Sequence, residues 1–557
     1  MVVLLIMIFV IAECIINPIG EFPLNDDWSY TRSLQHLYET HQLRLEGFTS
    51  MPLIGQLLWA LLFCKIFGFS FTVLRLSTLV LSLAGVIAGY FLIRELSGKE
   101  KVAFAGALIL MFNPIYLNLS NTFMTDVPFM TMLLFALYFF VRALKQERAV
   151  FIAAGVFFVL AATMIRQLGL LAALSFSFCY LYSGGFKKAR WLPAIMALGI
   201  PAGVYLLFNE WLKRNTGVPV MYHEGTKQIL FNLFYADYST PVFLVKQVFN
   251  IFMYTGFFIF PWIFLFDRRK MSPGAGKLLY YCGFFLLIAG GYFLVFRRLM
   301  PYTGNIMSGY GLGIVALRDV MILKTANLAL LPQAVFIGVT LAGATGAGLL
   351  LFVLVRYWKK AESVQPAGKK AVGILRRLAP SLKGMPVEVL LLLLFLLLYL
   401  FVMVVGGSFD RYLVAVIPVC SALIIYKMGD RFSSSGRHFG LVMGVLVVYG
   451  IFSISLTGEY LSWNRARWDA IRSLTVGEGV APEKIDGGFE FNGYYLYDGS
   501  VMKLEEDPAK KSWWWVQDDA YQLAFGPLEG YTVLKTFPCQ SSLFPFSSED
   551  IFVLKRN

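Results

Sequence analysis

Asp26 and Asp27, in the string Asn25-Asp26-Asp27-Trp28-Ser29-Tyr30, are two adjacent carboxylates a few residues beyond a long apolar run. Asp126 stands before Val127-Pro128 between two further apolar runs. Arg166 sits in a short turn, Arg297 and Arg298 end another run, and Asp410-Arg411-Tyr412 precedes one more. Ionisable groups at the edge of a membrane are costly to place, so each is a functional candidate. A carboxylate whose pKa is tuned by charge and partial desolvation can take the proton of a hydroxyl. Arginine offers a planar fork that matches phosphate oxygens. A base beside a phosphate clamp at a bilayer edge describes transfer of a group from a lipid phosphate to a nucleophile. Each residue also has a plainer role. Asp126 can cap a helix, Arg166 and Arg411 can snorkel, and Arg297 and Arg298 can be surface charges.

The elements that would place these residues follow from composition. The chain has 557 residues, 58% hydrophobic and 15% charged, with a mean hydropathy of +0.67. Soluble domains carry about 25% charged residues, so an ordinary cytosolic protein, a disordered chain and a disulfide scaffold are excluded. Apolar runs long enough to span a ~30 Å hydrocarbon core recur along the sequence. They predict a polytopic all-α membrane protein with about 13 transmembrane helices: 1–18, 69–93, 102–120, 127–144, 149–165, 168–185, 191–208, 243–266, 278–296, 329–355, 386–407, 412–427 and 438–457. Met51–Phe67 breaks the alternation and reads as an interfacial or re-entrant helix on the outer surface.

The segments 94–101, 142–148, 187–190, 267–277, 356–383 and 427–437 hold 24 of the 48 Lys and Arg residues, against six acids. The positive-inside rule puts this set in the cytoplasm, with the N-terminus inside and the C-terminus outside. The net charge of +14 is therefore a topology signal, and nucleic acid is not implied. Met1–Ile16 lacks a basic n-region and a cleavage site, and reads as a retained anchor. Asp26, Asp126, Arg166, Arg297, Arg298 and Arg411 all fall on the outer face. Residues 1–457 form the membrane domain, with 19–68 as the first outer loop. Residues 458–557 alternate short aromatic-rich runs with Gly, Pro and Asp, which predicts a small α+β extracytoplasmic domain. Loop 297–328, rich in Gly and Tyr, is a candidate gate, and loop 356–383 is suited to anionic head groups. The run Gly338–Gly346 reads as close helix packing. The six cysteines form no C-x-x-C pair and the four histidines show no ligand spacing.

At these residues the chain resembles bacterial GT-C glycosyltransferases of the protein O-mannosyltransferase and aminoarabinose-transferase type. The resemblance rests on the Asp pair, the Pro52-Leu53 helix ending in Phe67-Gly68, Arg75-Leu76-Ser77, Asn113-Pro114 with Asp126, and Arg411-Tyr412-Leu413 with Pro418. The run Lys484–Gly493 looks like a C-terminal element of some members. The resemblance implies a GT-C-like fold and transfer of a hexosyl or pentosyl group from a polyprenyl-phosphate carrier to a lipid, glycan or protein hydroxyl of the cell envelope. It places the chain in the bacterial inner or plasma membrane. Carried over, Asp26 is the general base, with Asp27 and Asp126 as further catalytic acids and Tyr30 and Tyr412 positioning substrate. Aminoarabinose-type enzymes carry a Lys before the surface helix where this chain has Ser50-Met51-Pro52-Leu53. Donor phosphate binding then falls to Arg411 and Arg166, with Arg297 or Arg298 behind them. No cofactor is expected, although three nearby acids are compatible with Mg²⁺ or Mn²⁺. Two alternatives stay open: a transporter or lipid flippase, and a surface-glycan polymerase or ligase.

Overall fold

The computed structural model describes residues 1–222, 240–271, 274–326, 328–362, 385–433, 436–497, 514–516, 518–539 and 550–557. Each predicted apolar run is helical. Among the described residues nine helices are long and apolar enough to cross a bilayer. Glu100–Met111 and Pro114–Ser120, bent by 66°, are long and apolar enough together to count as a tenth when the pair is taken as one broken span. Pro114 removes a backbone donor at the bend, and the Asn113 side chain caps the second segment through the N–H groups of Ile115 and Tyr116. Three expected spans are shorter helices: Val2–Ile16, Ala149–Ile165 and Leu170–Ser183, the last preceded by a 3₁₀ turn. Asn17-Pro18 stops the first, and the turn at Arg166 separates the other two. Ile54–Phe67 is a 14-residue helix, about 21 Å long. Its Gln56 and Trp59 side chains donate to the carbonyls of Phe123 and Ser77, while Leu58, Leu62 and Ile66 stay exposed. The basic loop 356–383 falls outside the described residues from position 363 onward.

The Gly338–Gly346 run packs as its composition predicts. Helix Gln333–Glu362 crosses helix Thr240–Ile259 with Gly343 and Gly346 against Gly256. A Cβ on Gly346 would overlap the Gly256 carbonyl, and backbone cannot swing aside as a side chain can. Gly346→Val is expected to destabilise the bundle by about 1–3 kcal/mol, the usual overpacking cost. The check is the unfolding temperature in detergent, with Gly338→Val, which meets open space, as its control.

The last membrane helix does not stop at residue 457. Gly436–Arg472 runs 37 residues, about 55 Å, because no Pro or paired Gly interrupts it, and so carries the bundle into the C-terminal cap. The cap holds a four-stranded sheet in the order Ile485–Asp486, Tyr521–Ala524, Ile551–Arg556, Tyr531–Phe537. The first pair is parallel and the others antiparallel. Two strand-like runs fold otherwise. After Asp486 the chain turns into helix Phe489–Leu496, because Asn492 bonds both Gly487 N–H and the Asp486 carboxyl. Trp514 and Trp515 take positive φ and form a turn, with Trp513 outside the described residues. The tryptophans serve as core. Trp28 packs with Phe48, Phe489 and Trp515 between the first outer loop and the cap, and Trp262 is buried with its N–H on Ser421.

Candidate functional site

The loop that carries Asp26 is held from three directions. Arg75, buried near the start of helix Phe71–Ser97, donates to the carbonyls of Pro18 (2.5 Å), Gly20 (3.3 Å) and Phe22 (3.0 Å). Asp27 opens helix Asp27–Thr40 with both oxygens occupied: Leu24 N–H at 2.6 Å and Phe123 N–H at 2.9 Å. From the cap, Glu490 accepts Asn25 N–H at 3.1 Å and pairs with Arg467 at 3.0 Å, both side chains fully buried. Asp26 is the carboxylate left over, with its side chain 20% exposed.

Two ion pairs then form side by side. Arg411 Nη2 lies 3.0 Å from Asp26 Oδ2, and Arg166 Nη2 lies 3.0 Å from Asp126 Oδ1. The Tyr412 ring stands between them, 5.5 Å from the Arg411 guanidinium and 5.3 Å from that of Arg166. Thr125 Oγ1 accepts from Arg166 Nε at 2.8 Å, and the Tyr399 hydroxyl holds the Tyr412 carbonyl at 2.9 Å. The Tyr30 phenol is buried among the same four charges, and burial raises its pKa. Asp410 faces the other way, taking the N–H groups of Ile306, Met307 and Arg411. It thereby straps loop 297–328, the expected gate, to the site; Ala316 ties the same loop to Phe489 of the cap.

Asp26, Asp126, Arg166, Arg411, Tyr30 and Tyr412 therefore come together. Arg297 and Arg298 do not join them: both are exposed, Arg297 lies over Phe293 of its own helix, and neither makes an ion pair among the described residues. Asp27 is adjacent, but both its oxygens are taken by backbone N–H groups. Arg467 and Glu490 carry the loop without having been read as site residues from sequence. Their signal is slight, an arginine far along the last apolar helix and a lone acid in an aromatic run. Among the described residues no three His, Cys, Asp or Glu side chains form a group that could hold a metal. The three acids instead face arginines and backbone N–H groups, which does not suit a cation cage.

Burial raises the Asp27 carboxyl to about 8, against the lowering pull of the Phe123 and Leu24 N–H groups and of Arg75. A folded-state pKa above the unfolded one means that the folded chain binds the extra proton. The resulting stability is complete below about pH 4 and is lost as pH rises toward 8. Asp27→Asn is expected to flatten this slope. Its amide nitrogen meets an N–H donor, so it should also cost about 1–3 kcal/mol. Unfolding temperatures from pH 4.5 to 8.5 would check both.

Arg411 adds the chemically decisive feature. It is buried, yet among the described residues its Nε and Nη1 have no hydrogen-bond partner. Unused buried donors of this kind cost about 1–3 kcal/mol each, and both N–H groups are free to donate to an anion.

Comparison with known proteins adds the following. Residues 51–208 match the family described as dolichyl-phosphate-mannose-protein mannosyltransferase. No curated protein matches the chain. Among solved structures, the chain is similar to ArnT from Cupriavidus metallidurans bound to undecaprenyl phosphate, at 13% identity over 99% of this chain and 97% of that one, with a TM-score of 0.41. It is similar to the archaeal oligosaccharyltransferase AglB from Archaeoglobus fulgidus, in complex with an inhibitory peptide and a dolichol-phosphate (15% identity, 90% and 60% covered, TM-score 0.40). The arabinosyltransferase EmbB from Mycobacterium smegmatis is similar at 14% identity, 85% and 42% covered, with a TM-score of 0.31.

Proposed function

We propose that this protein is an integral-membrane glycosyltransferase that moves a sugar from a polyprenyl-phosphate carrier to a hydroxyl acceptor on the outer face. The observation that carries this reading is the Asp26–Arg411 pair, a half-open carboxylate on a buried arginine with two unused donors. The family match over residues 51–208 supports the same class. The carrier phosphate takes Arg411 Nε and Nη1, with Arg166 as the second cation across the Tyr412 ring. Asp126 neutralises Arg166 and fixes its place.

Arg411 grips only Oδ2 of Asp26, and Oδ1 has no bonding partner among the described residues. That oxygen takes the proton of the acceptor hydroxyl. The acceptor oxygen then forms its bond to the anomeric carbon while the bond from that carbon to the phosphate oxygen breaks. The electron pair leaves with polyprenyl phosphate, whose charge the arginines hold. Attack opposite the leaving group inverts the anomeric centre. No step passes through a metal.

The test is release of polyprenyl phosphate from radiolabelled polyprenyl-phosphate sugars by the purified protein, with an extract of envelope acceptors, with and without EDTA. Release that survives EDTA is the expected result. Protein that binds the lipid and releases nothing from any sugar would overturn the reading in favour of a carrier or flippase.

A further inference from the structure

The charges at the opposite end of the bundle have no part in this chemistry. Helix Phe71–Ser97 joins the two ends: Arg75 supports the Asp26 loop, and Ser97 lies about 33 Å further along the axis. Just beyond it is a cavity of about 690 Å³. Three segments that are distant in sequence, 94–101, 267–277 and 427–437, converge on it; the first contributes Lys99 and Lys101, the second Lys270, and the third Asp430 and the backbone around it. Val102, Leu265 and Phe439 supply an apolar wall.

The lysines are set in place. Lys99 Nζ is 3.4 Å from the Gly429 carbonyl and Lys270 Nζ is 3.0 Å from the Phe432 carbonyl. An ammonium has three donors, so each keeps others for a ligand. Lys101 makes no ion pair among the described residues. Two acids also line the cavity. Glu100 is paired with Arg94 at 2.8 Å, which leaves Asp430 as the one opposing charge.

We infer that this cavity binds the phosphate of an anionic phospholipid of the leaflet on the basic side. The ammonium groups hold the phosphate oxygens, and the acyl chains continue from the apolar wall into the bilayer. A free phosphate ion shares the first of these chemistries and has no use for the second.

Native mass spectrometry of the full-length protein would test this, with phosphatidylglycerol, phosphatidylcholine and inorganic phosphate added separately. The wild type should retain a phosphatidylglycerol adduct. The Lys101→Ala/Lys270→Ala double variant should lower its population at least fivefold, whereas Lys188→Ala, at a basic turn outside the cavity, should not. Lys101 and Lys270 are both exposed, so the double variant has no core to lose. Equal retention by the double variant, or equal retention of phosphatidylcholine, would overturn the inference. So would inorganic phosphate binding with the same lysine dependence in place of the lipid. Because the cavity is remote from Asp26, these results stand whether or not sugar transfer is found.

Discussion

Asp26→Asn is expected to lower sugar transfer by 10²-fold or more while the protein stays folded and inserted. General-base catalysis contributes typically 10²–10⁴-fold, and an amide cannot take the acceptor proton. Folding should survive, because the loop is held by Arg75, Asp27 and Glu490 and not by Asp26. Asparagine also keeps a carbonyl oxygen for Arg411. The loss should fall on kcat, with donor binding retained or tightened, since Arg411 is released from its anionic partner. Initial rates against donor concentration separate these effects. A variant transferring within tenfold of wild type, or losing only donor affinity, would remove Asp26 from the role of base.

Arg411→Lys is expected to reduce kcat/KM for the donor by roughly 10²-fold or more, with KM rising. Lysine preserves a positive charge beside Asp26, so the site is not left with an uncompensated acid. It loses the planar fork whose Nε and Nη1 stand unused in the structure. Two charge-assisted bonds at about 1.5–3 kcal/mol each set the scale. Arg166→Lys should be milder, because that guanidinium is already shared between Asp126 and Thr125. Donor titrations of all three proteins in one detergent give the comparison. An unchanged donor KM in Arg411→Lys would move the phosphate elsewhere.

How far these side chains could be foreseen varies with the kind of information involved. The helices were legible because hydropathy is a local property: twenty apolar residues in a row span a bilayer whatever their neighbours do. The runs 1–18 and 149–165 read as full spans, but their helices, Val2–Ile16 and Ala149–Ile165, have 15 and 17 residues and sit at the edge of that length rule. In the cap, strand-like composition at Ile485–Tyr495 yielded mainly a helix, because one side chain, Asn492, closes the turn ahead of it. Asp27 looked like the twin of Asp26 by type and spacing. Only its bonds to Leu24 and Phe123, the latter 96 residues away, separate a positioning acid from a candidate base.

The sequence by itself determined that this is a many-helix membrane protein and that its basic segments alternate with acid-bearing ones, because hydrophobicity and charge add up segment by segment. It also determined which acids and arginines stand at the ends of helices. Only the tertiary structure decided that Asp26 meets Arg411, 385 residues away, that Tyr412 separates two guanidinium groups, and that Arg297 and Arg298 stay outside. It also decided that Glu490 of the cap holds the loop in place. The physical reason is that an ion pair depends on distance in space, and that distance is fixed by how helices far apart in the chain pack.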